Sequence, residues 1–255
     1  MITYNASAGV ATIVIDDAER RNPLSNEAMQ QLRVTIDRSA ADESVHVVVL
    51  TGAGDRSFSA GGDLAGGFVD NALPHHAERA ALADLFRAMW ANPKPIIGRI
   101  NGVALGGGFG LAVACDITIA VDTAKLGTPE IGLGLWPMMI SAVLVRSMPR
   151  KALLDMMMTG RVLTATEALD YGLVTRVVAV DTLDAEVADA VAALKERSAA
   201  ALALGKRSFY SMVDMDIDSA LDHLQTGLTA TALTEDGVEG VSAFLDKRAP
   251  EWKGR

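Results

Sequence analysis

The sequence predicts an α/β protein with largely parallel strand pairing, followed by a helical C-terminal segment. Three observations carry this. Short runs rich in β-branched residues alternate with helical patterns from residue 2 to about residue 180, as expected for strands joined by helical crossovers. After Asp181 four helical patterns follow with no convincing strand among them. Half of the 255 residues are hydrophobic, and a chain of this length buries roughly 70% or more of its unfolded surface, so one full core is available. The expected division is an α/β core over residues 1–195 and a helical region over 196–255. The latter carries Ala and Leu stripes that need the core or another subunit to cover them.

Taken in order, Ile2 to Asn5 and Val10 to Ile15 read as strands of a hairpin, with Ser7-Ala8-Gly9 as its turn. Ser25 opens a helix whose apolar stripe runs through Met29, Leu32, Val34 and Ile36. Val45 to Thr51 is a buried strand by composition. Residues 52–67 read as a Gly/Ala/Ser loop. A helical pattern covers about His76 to Trp90 and stops at Asn92-Pro93-Lys94-Pro95. Ile96 to Ile100 is a strand; Gly106-Gly107-Gly108 leads into a helix ending at Ala114; Ile117 to Val121 is a further strand. The C-terminal helices are expected at 183–195, 198–213, 217–230 and 236–246.

Composition removes several functional classes. With 23 Lys and Arg against 32 Asp and Glu, the net charge is −9, opposite to the clustered cations that bind nucleic acid. The single cysteine, Cys115, excludes a disulfide framework and a Cys-cluster metal site, and neither His46 nor His223 has a metal-ligand neighbour. No apolar run approaches the ~18 residues of a membrane span. The first residues lack a basic and then apolar leader, so a cytoplasmic location is the default expectation.

Standard catalytic motifs are absent. There is no G-x-S-x-G, no H-E-x-x-H and no Walker A loop, and Leu111 stands where a third dinucleotide-binding glycine would fall. Two glycine-bearing segments remain, Phe58-Ser59-Ala60-Gly61-Gly62-Asp63-Leu64 and Asn101-Gly102-Val103-Ala104-Leu105-Gly106-Gly107-Gly108-Phe109-Gly110. Each follows a strand and the second enters a helix. Glycine there permits positive φ and close backbone approach to a ligand, and a helix start leaves N–H groups free. Together the segments can offer two backbone donors to one developing oxyanion, or they can be tight turns.

These segments, with Cys115-Asp116 and Thr128-Pro129-Glu130-Ile131-Gly132-Leu133-Gly134, resemble the crotonase (enoyl-CoA hydratase/isomerase) superfamily. Arg21-Asn22-Pro23-Leu24-Ser25 is similar to its early R-N-A-L-S element. Thr159-Gly160-Arg161 through Gly172-Leu173-Val174 and Phe244 through Pro250 resemble later family stretches, so the likeness spans nearly the whole chain. It implies a spiral of ββα units with a C-terminal helical trimerisation region, a homotrimer or homohexamer, and an acyl-CoA substrate. Coenzyme A enters as part of that thioester, with no separate cofactor.

The resemblance also implies residue roles. The Gly62 and Gly107 amides would form the oxyanion hole, and Glu130 would be the acid/base. Ala60, Asp63 and Leu64 would contact the CoA, with Asp63 shaping its loop. Arg21 would approach the CoA phosphates, and Phe244 and Lys247 would reach the CoA of a neighbouring subunit. Three departures stand out. Gly110 occupies the place of one of the two hydratase glutamates, Glu130 matching the second. Leu135-Trp136-Pro137-Met138-Met139-Ile140 replaces a polar hydratase segment, and Ala65 replaces a lysine found in several members. A lone carboxylate and an apolar wall favour moving a proton within a 3-enoyl-CoA over adding water. Hydration of a 2-enoyl-CoA and non-catalytic acyl-CoA binding are the alternatives. A histidine, His75 or His76, is a candidate to fill the space beside Gly110. Trp136, Met138 and Met139 are candidate walls of the acyl pocket, whereas Met156, Met157 and Met158 read as core.

Overall fold

The computed structural model describes residues 1–64, 76 and 78–255. It opens on the predicted hairpin. Strands β1 (Ile2–Ser7) and β2 (Val10–Ile15) pair antiparallel, and Ala8 and Gly9 both take positive φ, the conformation that matches a two-residue hairpin to strand twist. Helix α1 (Asn26–Ala41) begins where Ser25 Oγ accepts from the Ala28 N–H at 3.1 Å. It buries Met29, Leu32 and Ile36. Val34, expected in the same stripe, is 66% exposed: it lies two residues from both Leu32 and Ile36, a spacing that turns it to the opposite side of a helix.

The rest of the core winds as a repeated turn. Strand β3 (Val47–Gly52) is followed by β4 (Ser57–Ser59) and α2 (Ala80–Ala91). Next come β5 (Ile96–Ile100), β6 (Val103–Leu105) and α3 (Gly107–Ala114), then β7 (Ile117–Val121) and β8 (Lys125–Gly127). The first strand of each turn joins one sheet, and the second joins another. The larger sheet therefore runs β1-β2-β3-β5-β7-β10, parallel from β2 onward, with β10 at Arg176–Val178. The smaller runs β4-β6-β8-β9, with β9 at Val162–Thr164 closing it antiparallel. This is the predicted spiral of ββα units. All six residues of β3 are buried, which is why that strand reads as an unbroken apolar run.

Residues 57–59, expected to be loop, form β4 and are wholly buried. The strands β6, β8, β9 and β10 were not predicted either. Each is three residues long, too short for a period-2 pattern to register.

Helices α4 (Met138–Leu144), α5 (Arg150–Thr159) and α6 (Ala165–Asp170) complete the core, and α7 (Leu183–Lys195) packs on β3, β5 and β7. The last three helices are α8 (Ala199–Met212), α9 (Ile217–Ala232) and α10 (Glu235–Leu245). Asp116 fastens α8 to the core. Its Oδ2 accepts from the Ile96 N–H and from Lys206 Nζ, both at 2.7 Å, and its Oδ1 accepts from Tyr210 at 2.8 Å. Burial beneath α8 lowers the Lys206 pKa, against the pull of Asp116. Cys115 is buried beside this cluster and its thiol is pushed up by desolvation, so it is a packed, unreactive group.

Candidate active site

The two glycine segments meet at Gly61 and Gly106. Gly61 has φ +94°, and a Cβ there would lie 2.7 Å from the Leu105 carbonyl oxygen; Gly106 has φ +52°, and its Cβ would come within 3.0 Å of Glu130 Oε1. Gly108 is held equally close: a Cβ would fall 2.5 Å from the Ser59 carbonyl oxygen. No side chain fits in these contacts, so the glycine run serves close approach of two strand ends.

That approach aims two amides. Leu24 and Gly62 form a parallel bridge, in which the Leu24 N–H donates to the Gly61 carbonyl at 2.8 Å and the Asp63 N–H to the Leu24 carbonyl at 3.1 Å. Residues 61 and 63 therefore face Leu24, and the Gly62 N–H points the other way, as alternation in a strand requires. A Cβ on Gly62 would meet nothing within 4 Å. Gly107 is the first residue of α3, where an N–H has no intrahelical partner. Both glycines line the same cleft, of about 900 Å³, a volume suited to a small-molecule ligand.

Glu130 stands on a 3₁₀ turn, Pro129–Leu133, at the opposite side of Gly106. Its Oε2 is buried without a hydrogen-bond partner among the described residues. Burial raises its pKa above the ordinary carboxylate range. Carboxylates elsewhere in the lining are engaged. Asp63 accepts both bonds of the Arg20 guanidinium, Glu78 accepts from Asn26 at 2.9 Å, and Glu27 accepts from Gln31 at 3.0 Å. A buried carboxylate oxygen lacking a partner, set against two outward amides, is arranged for a reacting group rather than for stability.

The position beside Gly110 is full. A Cβ there would lie 2.5 Å from Ile140 Cγ2 and 3.0 Å from Phe86 Cζ, and Ile140 and Phe86 are 3% and 4% exposed. Among the described residues the occupants are thus apolar: His76 is exposed, while His75, like Ala65, lies outside the described residues. Leu24, Leu82, Trp136, Met138, Met139 and Ile140 supply the apolar lining. Met156 and Met157 are core, as expected, but Met158 is 60% exposed.

Of the residues implied at the sequence level, Gly62, Gly107, Glu130, Ala60, Asp63 and Leu64 line this one cleft. Arg21 is exposed with φ +66° and does not. Phe244 and Lys247, on the exposed end of α10 and just after it, are also outside the lining. Arg20 and Phe86 escaped the sequence reading. Neither lines the cleft: Arg20 bonds Asp63, which does, and Phe86 packs at Gly110, each through a contact distant in sequence.

A wound ββα spiral here presents two outward amides and one buried carboxylate to an apolar cleft, a class of site able to stabilise a developing negative charge. The family model for enoyl-CoA hydratase/isomerase matches residues 5–255, and the chain belongs to that family, the crotonase superfamily of enzymes acting on acyl-CoA. It is 34% identical over 248 residues to a putative enoyl-CoA hydratase of Thermus thermophilus, covering 95% of this chain and 97% of that one. It is 32% identical to the mitochondrial enoyl-CoA hydratase domain-containing protein 3 of Mus musculus, over 96% of this chain and 81% of the relative. The structure of an enoyl-CoA hydratase from Mycobacterium smegmatis superposes with a TM-score of 0.95 at 33% identity, covering 98% of both chains. Among the described residues no helix is long and apolar enough to cross a membrane.

Proposed function

We propose that this enzyme shifts the double bond of a 3-enoyl-CoA to the 2-position, with Glu130 as the only acid/base. The observation that carries this is the filled space at Gly110, where Ile140 and Phe86 leave no room for a second carboxylate to hold a water. Glu130 removes a proton from C2 of the substrate. The electron pair delocalises onto the thioester oxygen, which accepts from the Gly62 and Gly107 amides. The Glu130 carboxyl group then returns the proton to C4, and the double bond settles between C2 and C3. Proton count and charge are unchanged overall. The CoA moiety runs along Ala60, Asp63 and Leu64.

Water addition to a 2-enoyl-CoA is the second reading, favoured by relatives named as hydratases. A panel of 3-enoyl- and 2-enoyl-CoA thioesters analysed by mass decides between them. Isomerisation leaves the mass unchanged; hydration adds one water. Rapid formation of 3-hydroxyacyl-CoA as the main product from either substrate overturns the proposal.

The same reading includes assembly into a trimer or hexamer through residues 196–255, which would place Phe244 and Lys247 at a neighbour's CoA. It is supported by the exposure of Ile217, Leu228, Leu233, Val241 and Phe244, each at least 63%, because so many large apolar groups in one region mark an interface. Sedimentation equilibrium is expected to return a multiple of three chains; a monomer at assay concentrations overturns this part.

A further inference from the structure

Arg20 lies one residue before the arginine singled out from the sequence, and it behaves differently. Its Nη2 donates to both Asp63 carboxylate oxygens, at 2.9 Å each, across 43 residues of chain. Asp63 is the residue after Gly62. The Asp63 side chain is 15% exposed while that of Arg20 is 53% exposed, so the carboxylate is set into the wall and the guanidinium covers it from outside. The loop bearing Arg20 is rigidly made. Arg21 and Asn22 both take left-handed φ, +66° and +55°, a conformation that non-glycine residues keep only when surroundings enforce it. Here the enforcement is Asn22, fully buried, whose Nδ2 donates to the Ala53 and Ser57 carbonyls and whose Oδ1 accepts from the Asp17 N–H. The Ala60 N–H donates to the Arg21 carbonyl at 2.9 Å. The two loops are thus bonded on both sides of Gly62, and the Arg20–Asp63 pair closes the ladder.

This has an electrostatic consequence. A carboxylate one residue from the Gly62 amide opposes any negative charge the amide would stabilise, and the opposition grows as water leaves the cleft. A guanidinium whose Nη2 bridges both oxygens of that carboxylate offsets its charge with a charge-assisted hydrogen bond.

We propose that Arg20 is a positioning residue: acting through Asp63, it holds the Gly62 amide in its aim and cancels the carboxylate charge beside the developing oxyanion. The inference rests on the enolate reading above. Wild-type turnover on the enoyl-CoA panel is therefore measured first. Its absence overturns that reading and this inference with it. With wild-type turnover in hand, Arg20→Met is expected to lower kcat about tenfold, below the ~10²–10³-fold cost of deleting a donor outright, with KM held within about twofold. Arg20→Lys, which keeps the charge, is expected to recover most of the lost kcat. An unchanged kcat in Arg20→Met overturns the inference, as does a rise in KM alone, which would mark Arg20 as a direct ligand contact. Failure of Arg20→Lys to exceed Arg20→Met also overturns it.

Discussion

Glu130→Gln is expected to reduce double-bond shift in 3-enoyl-CoA by at least the ~10²–10⁴-fold that general acid–base catalysis contributes, while acyl-CoA binding persists. Glutamine keeps the shape of the side chain against Gly106 but cannot take and return a proton. The pH profile supplies an independent check. Burial raises the Glu130 pKa, and the base works only when ionised. Wild-type kcat/KM should therefore rise with pH through a value above the ordinary carboxylate range and then level, with that limb missing from the variant's residual activity. Stability runs the other way. A carboxyl whose folded pKa is raised contributes stability that is fully present below its unfolded value, ~4.3, and is lost as pH rises through the folded value. At neutral pH the variant is thus expected to melt no lower than wild type. Undiminished turnover in Glu130→Gln would remove this residue from the mechanism.

Gly110→Glu carries the next largest effect, and it should fall on stability. Restoring a carboxylate here looks from the sequence like a route to a second acid. The structure predicts otherwise, because a Cβ would already lie 2.5 Å from Ile140 Cγ2 and 3.1 Å from Ile140 Cβ. Overpacking a close-packed interior costs about 1–3 kcal/mol or more, and the charge would be buried among Phe86 and Ile140 as well. For a chain of this size a drop of about 2–4 °C in Tm per kcal/mol is expected. Water addition should not appear. A Gly110→Glu variant that melts like wild type and hydrates 2-enoyl-CoA faster would show that the wall yields, and that Ile140 and Phe86 do not decide the reaction.

The outcome at these two residues shows what kind of information each level holds. Glu130 was legible because Thr128-Pro129-Glu130-Ile131-Gly132 is a contiguous string, and its partners Gly62 and Gly107 lie in two further strings. Gly110 was legible as a missing side chain, but what fills its place was not. Ile140 is 30 residues onward and Phe86 24 residues back, and no local pattern ties either to position 110. Arg20 was not legible because its partner Asp63 lies 43 residues onward, a pairing that residue identity does not announce. The three-residue strands β4, β6, β8, β9 and β10 were missed for a related reason: each is a strand because of the neighbour it pairs with.

The sequence by itself determined the long elements, since a six-residue apolar strand such as β3 or a helix begun by Ser25 is specified by local sterics, capping and hydrophobic period. It also determined the family, through motifs spread along the whole chain. Only the tertiary structure decided which glycine faces which group, what occupies the space at Gly110, and which arginine holds Asp63. Those are contacts between residues tens of positions apart, and they exist only once two sheets have wound past one another and brought the ends of β4 and β6 within van der Waals distance at Gly61 and Gly106.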